Sequence, residues 1–276
     1  MRITRDLGGG HAWTLHEGLL GDGRRVFVKK GAGAAAGVLE SEAAGLRWLA
    51  EPRAVAVPEV VAVPEVLAAE GGTLVLEWID TAPATAAAAE RFGRDLAALH
   101  AAGAGAFGAP WPGYIAELPM DNDPAPDWPS FYVSRRVLPF VRLARDRGAL
   151  PARDVSLVEE ACDRVAEVAG PPEPPSRIHG DLWSGNLLWS RGGEAVLVDP
   201  AAHGGHRETD LAMLALFGAP RLDTILGAYR EAAPLAEGWR ERVPLHQLHP
   251  LAVHVCLFGE AYRGSLLTAA GDVLAM

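Results

Sequence analysis

The residues best suited to chemistry lie close together, in residues 179–186 (HGDLWSGN) and at the end of the apolar run 195–198, where Asp199 stands. Transfer of a phosphoryl group needs a carboxylate that orients or deprotonates the attacking hydroxyl, and oxygen ligands for a divalent cation that bridges the leaving phosphates. Asp181, Asn186 and Asp199 can supply those functions. Taken singly, Asp181 and Asn186 are ordinary turn formers and Asp199 an ordinary helix cap. The joint pattern is far rarer. It also demands Gly180 for a tight backbone, Gly185 before the Asn, and two short strands, 187–189 and 195–198, turning at residues 191–193.

Upstream, VFVK places Lys29 at the end of a strand, where an ammonium can face the α- and β-phosphates of a nucleotide. Lys30 and Glu40 are the nearest competing charges, with exposed surface as their ordinary place. Gly8, Gly9 and Gly10 lie between a candidate first strand and the strand from Thr14, where backbone N–H groups of a glycine-rich hairpin could cover phosphates; a loose turn is the alternative. Residues 31–37 (GAGAAAG) lack the GK[ST] ending of a Walker loop and read as a flexible connector.

These groups need a scaffold, and its period changes along the chain. Residues 14–20, 24–29 and 73–78 read as strands, with Gly21, Asp22 and Gly23 as a tight turn, while Leu39, Ala43, Leu46 and Leu49 give helical spacing. Beyond Asp80 the pattern is helical, over 84–99, 129–147, 151–168 and 243–261. The expectation is an α+β, two-lobed chain: a small antiparallel sheet with one helix in residues 1–80, and a larger, mainly helical lobe in 81–276. VAVPEV occurs twice, at 55–60 and 61–66, and two copies of so short a unit make a local duplication rather than a solenoid. Residues 171–175 form a stiff spacer.

Composition narrows the partners. With 276 residues, 49% hydrophobic, and a net charge of -10, the chain favours a small ligand over nucleic acid or an anionic membrane. Cys162 and Cys256, each in an apolar helical context, suggest neither a disulfide framework nor a zinc site. The start lacks the apolar core of a signal peptide, and no apolar run approaches the roughly 20 residues that span a bilayer, so a cytoplasmic location is expected. Oligomeric state stays open, and a monomer is compatible with the sequence.

With four residues between Asp181 and Asn186 and a metal-type Asp one hairpin later, the segment resembles a kinase catalytic loop. Over most of its length the chain resembles the fructosamine kinase and ketosamine-3-kinase family, within the aminoglycoside phosphotransferase and choline kinase group. HGDLWSGN, residues 199–213 (DPAAHGGHRETDLAM), residues 127–148 and residues 249–262 (HPLAVHVCLFGEAY) carry that resemblance. It implies a protein-kinase-like fold, ATP and Mg²⁺, and phosphorylation of a sugar hydroxyl on small glycated amines or proteins. Asp181 would be the catalytic base, and Asn186 and Asp199 the metal ligands. Glu42 would pair with Lys29, Gly9 and Gly10 would cover phosphate, and Glu77, Trp78 and Ile79 would form a hinge that binds adenine. Asp210 would brace the catalytic loop or cap its helix, and His206 and Arg207 would support the metal loop.

A ketosamine pocket should combine hydroxyl-binding groups, an aromatic surface and a carboxylate near the amine. Trp183 is the favoured aromatic, with Trp111, Trp128 and Tyr132 behind it. Ala202, His203 and Gly204 stand where family members often carry aromatics, which makes His203 a further substrate candidate. The glycine-rich stretch has no cysteine, so no thiol switch is expected there. Another amino-alcohol acceptor, a non-catalytic nucleotide-binding regulator and a protein kinase are the competing readings; for the last, residues 199–210 are too short to dock a peptide.

Overall fold

The structure, a computed structural model, describes residues 1–10, 13–31, 33–54 and 64–276. Five antiparallel strands open the chain: β1 (Arg2–Gly10), β2 (Trp13–Leu19), β3 (Arg25–Gly31), β4 (Val66–Glu70) and β5 (Thr73–Glu77), in the order β1-β2-β3-β5-β4. The 21–23 turn joins β2 to β3 as expected, with Gly23 at φ 88. Alternation along β3 sends Val26 and Val28 to one face with Val75, and Phe27 and Lys29 to the other, beneath helix α1 (Ala34–Ala50). Residues 34–37 thus form the first turn of α1 rather than a connector, since Ala costs a helix nothing in side-chain entropy. The VAVPEV duplication lies almost wholly outside the described residues; Val66 of its second copy opens β4.

The larger part begins with α2 (Ala86–Ala101), whose Thr85 side chain accepts the Ala88 N–H at 3.1 Å as an N-cap. Hairpin β6 (Gly113–Ile115) and β7 (Leu118–Met120) follows. Residues 128–146 are one helical stretch in three pieces, α3 (Trp128–Phe131), a π-helical turn (Tyr132–Val137) and α4 (Leu138–Asp146). Next come α5 (Ala152–Val168), β8 (Ser176–Ile178), β9 (Leu187–Trp189), β10 (Ala195–Leu197), β11 (His203–Gly205), α6 (Arg207–Leu216), α7 (Leu222–Ala232), α8 (Val243–Phe258) and α9 (Arg263–Ala275). The helix expected over 243–261 stops at Phe258, because Gly259 takes φ 65, and the chain restarts as α9 after a 3₁₀ turn.

One apolar core joins the sheet to the helices: Leu39, Leu46, Leu74 and Leu76 from the N-terminal part pack in a continuous cluster with Phe92, Leu182, Leu197 and Leu211. A second fills the helical part from Phe131 to Val273. Among the described residues, no helix is long and apolar enough to cross a membrane.

Candidate active site

The strand alternation that buries Phe27 also buries Lys29, and its Nζ donates to both carboxylate oxygens of Glu42 on α1 at 2.9 Å and to Asp199 Oδ1. Burial opposes the ammonium, but the carboxylates of Glu42 and Asp199 outweigh it and raise the Lys29 pKa. Burial pushes the Glu42 carboxyl up to about 8 against the pull of Lys29, with Asp199 adding to the rise. Two acids thus share one cation, and the site is short of positive charge.

Asp210, in α6, shapes the loop that follows β8. Its Oδ2 accepts the His179 N–H at 2.8 Å, its Oδ1 the Gly180 N–H at 2.9 Å, and His100 Nε2 lies 3.2 Å from Oδ2. Burial alone would raise the Asp210 pKa; hydrogen bonds from His100 and the His179 N–H reverse that and hold it low. The cap of α6 is His206, whose Nδ1 accepts the Glu208 N–H at 3.2 Å, so Asp210 braces the loop and does not cap the helix. At Gly180 φ is 82 and a Cβ would stand 2.3 Å from the Ala201 carbonyl oxygen, so only glycine fits. His179 Nδ1 accepts the Asp181 N–H at 3.2 Å, which leaves the ring proton on Nε2, donated to the Val198 carbonyl at 2.9 Å. That bond ties the loop to the end of β10.

Asn186 Nδ2 donates to the Asp181 carbonyl at 2.9 Å and to Asp181 Oδ2 at 3.1 Å, fixing the carboxyl. Burial first, then the Asp199 carboxylate, pushes Asp181 up to about 7, close to the value a general base needs at neutral pH. With its nitrogen turned to Asp181, Asn186 keeps Oδ1 as an acceptor, and the residue lines the cavity described below. Asp199 follows β10 at φ 53 with a half-exposed side chain. An amide oxygen and a carboxylate are the hard donors that suit Mg²⁺.

Two cavities meet at Asp199. One, of about 240 Å³, is lined at one end by Lys29, Glu42, Asp181 and Asn186 and at the other by Tyr114, Trp183, His254 and Phe258. The other, of about 270 Å³, is an apolar slot between Phe27, Leu76, Leu188 and Val198, edged by Glu77, Trp78 and Ile79. Arg25 lies over the Trp78 ring at 4.5 Å and pairs with Asp80, steadying that edge. Gly9 and Gly10 stand at the end of β1 opposite Thr14 and Trp13, and Trp13 lines the first cavity; His11 and Ala12 lie outside the described residues.

Several expectations change. His203 is buried and lines neither cavity: pairing of β11 with β8 turns it inward, where Nδ1–H donates to the Ala201 carbonyl at 2.8 Å and Nε2 accepts Arg136 Nε at 3.3 Å. Trp128 and Tyr132 are core residues stacked at 4.7 Å, and Trp111 packs on Trp48. His206 caps α6 and packs on His246, and the Arg207 guanidinium grips Glu173 of the proline spacer at 2.6 and 2.7 Å. The carboxylates that line the first cavity are those of Glu42, Asp181 and Asp199; the outer wall formed by Tyr114, Trp183, His254 and Phe258 is completed by Ile115, Val253 and Leu257. Tyr114, His254 and Phe258 escaped the sequence reading: no motif marks Tyr114, and residues 249–262, which hold His254 and Phe258, carry the family resemblance without pointing to a side chain of the cavity.

His206, Glu208 and His246 have the composition of a metal site and are buried together. Two of the three are committed elsewhere. Both Glu208 oxygens accept Arg242 N–H groups at 2.6 and 2.9 Å, and the His206 cap leaves its proton on Nε2, the atom a metal would need.

The model of the fructosamine kinase family matches residues 4–276. The chloroplastic protein-ribulosamine 3-kinase of Arabidopsis thaliana is 32% identical over 262 residues, 92% of this chain and 78% of that protein. A crystal structure of a Thermobifida fusca protein assigned as a fructosamine-3-kinase is 54% identical and superposes with a TM-score of 0.92, over 99% of this chain and 93% of its own. An ADP-bound aminoglycoside phosphotransferase, 13% identical, aligns with a TM-score of 0.62 over 99% of this chain and 93% of its own, so the protein-kinase-like fold is shared across that wider group.

Proposed function

The chain belongs to the fructosamine kinase family, and from that premise we propose that it carries the γ-phosphoryl group of ATP to a sugar hydroxyl of a ketosamine, with Asp181 as the base. One observation supports this most: Asp199 lines both the slot sized for a flat base and the cavity that holds Lys29, Asp181 and Asn186. A nucleotide with its base between Phe27 and Leu188 would send its phosphates past Asp199 toward Lys29. The Lys29 ammonium would neutralise phosphate charge, and Glu42 would keep it aimed. Asn186 and Asp199 would hold Mg²⁺, which when bound supplies charge neutralisation at the phosphates. Asp181, half-buried and oriented by the Asn186 amide, would accept the proton of the attacking hydroxyl as the in-line displacement proceeds.

Trp183, 38% exposed at the cavity mouth, is the proposed surface for the sugar. The third hydroxyl is the proposed acceptor, by likeness to the relatives named 3-kinases; its phosphorylation would loosen the sugar–amine linkage and begin deglycation. An aminoglycoside, with several ammonium groups, would be served by carboxylates along the outer wall. This wall offers aromatic and imidazole groups instead, which favours an acceptor with one amine. Coupled ADP release with Mg²⁺-ATP against ribulosamine, fructosamine and aminoglycoside acceptors tests the reading. Ketosamine-dependent turnover is expected, and aminoglycoside-only turnover would overturn the substrate assignment.

A further inference from the structure

We propose that Arg177 is a positioning residue for the Lys29–Glu42 pair, acting from the catalytic loop's own strand through the far end of α1. The proposal rests on the kinase reading, because only there does the pair act on a nucleotide.

Arg177 stands in β8, two residues before His179. Its Nη1 donates to the Trp48 carbonyl in the last turn of α1 and to Glu51 Oε2 at 3.0 Å, and its Nε donates to the Gly103 carbonyl at 3.3 Å. The guanidinium lies over the Trp48 ring at 4.2 Å, and that ring meets Trp111 edge-on at 5.5 Å. The Trp48 carbonyl also accepts the Glu51 N–H at the helix C-cap; the last turn carries the negative end of the helix dipole, so a cation there binds the helix end firmly.

Two closer contacts continue the clamp along the same side of α1. A Cβ on Gly45 would stand 3.2 Å from Ala202 Cβ and 3.4 Å from Pro200 Cγ, in the segment that follows Asp199; one on Gly37 would stand 3.1 Å from the Tyr114 hydroxyl. Glu42 lies between these two glycines. Its distance from Lys29 is therefore set by how α1 rests on the helical lobe as well as by how Leu39, Leu46 and Leu49 rest on the sheet. Releasing Arg177 frees the end of α1 to tilt, carries Glu42 off Lys29, and leaves the ammonium to Asp199 alone. The Glu51 pairing matters little, because that carboxylate is largely exposed.

The test is binding of Mg²⁺-ATP, by calorimetry, to the wild type, Arg177→Met, Glu42→Gln and the double variant, with the acceptor KM measured alongside. Expected is a loss of ATP affinity of about tenfold in Arg177→Met, the size usual for residues coupled in one network. The acceptor KM should stay put, Arg177→Lys should recover part of the loss, and the loss should shrink below about twofold in the Glu42→Gln background. An equal loss in both backgrounds, or a matching rise in acceptor KM, overturns the proposal. Should Arg177→Met not fold, Gly45→Val, which pushes the same helix off the same lobe, must reproduce the ATP-selective loss or the proposal fails. A wild type that binds ATP yet phosphorylates no ketosamine would refute the kinase reading while leaving this binding comparison valid.

Discussion

Replacing His249 by Asn should change how stability depends on pH, by an amount the structure fixes. His249 is buried on α8, its Nδ1–H donates to the Arg136 carbonyl at 3.0 Å, and its ring packs on Phe140 at 5.2 Å. Nε2 meets no hydrogen-bond partner among the described residues. Burial first, then the Arg136 guanidinium, holds its pKa down to about 3. In the unfolded chain the ring takes its proton near the usual value of about 6.5, so its stabilising effect is complete above that pH and declines as pH falls toward the folded value. At about pH 5.5 the unfolded chain gains RT ln(1 + 10), about 1.4 kcal/mol, that the folded protein does not share. The acid profile of the wild type alone hides this, because Asp181 and Glu42, raised to about 7 and 8, take up protons in the folded state and oppose it. The Asn amide can still donate to the Arg136 carbonyl, so the comparison isolates the titration. Urea unfolding at about pH 7.5 and about pH 5.5 should show the wild-type-minus-variant difference falling by about 1.4 kcal/mol at the lower pH. A difference constant within a few tenths of a kcal/mol would refute the argument.

Two other outcomes follow from packing. A Cβ on Gly93 would stand 2.3 Å from the Ile225 carbonyl oxygen and 2.9 Å from the Tyr229 N, so Gly93→Ala should force α2 from α7 and destabilise by about 1–3 kcal/mol, read as a lower Tm; an unchanged Tm would mean the helices can part freely. Leu188→Trp should fill the apolar slot and lower ADP affinity by about tenfold or more while the Tm stays within a few degrees, and undiminished affinity would place the base elsewhere.

The site was legible where its chemistry is local. HGDLWSGN places Asp181 and Asn186 in one turn, and the β9–β10 hairpin that delivers Asp199 appears in the sequence as two apolar runs about a glycine turn. Lys29 was legible as the charge that ends the apolar run VFV of a strand. What failed depends on long-range pairing. β1, RITRDLGGG, has little apolar alternation, so the sequence offers it only as a candidate first strand without bounds; it runs to Gly10 because β2 hydrogen-bonds along it. His203, four residues past Asp199, looked like a pocket residue until the β11–β8 pairing turned it toward Arg136. The π-helical turn at Tyr132–Val137 has no local mark either; it sets the Tyr132 hydroxyl on the Leu245 carbonyl and Arg136 inside the lobe, contacts made with distant chain. The aromatic outer wall of the first cavity draws on β6, the catalytic loop and α8, which no sequence window spans.

The most direct test of the central claim is turnover of a ketosamine with Mg²⁺-ATP by Asp181→Asn, measured beside its affinity for ADP. The account predicts a loss of turnover of roughly a hundredfold to ten-thousandfold, the range a positioned base contributes, with ADP affinity within about threefold of the wild type. Near-normal turnover would contradict it, because the carboxyl held by Asn186 would then have no part in moving the proton.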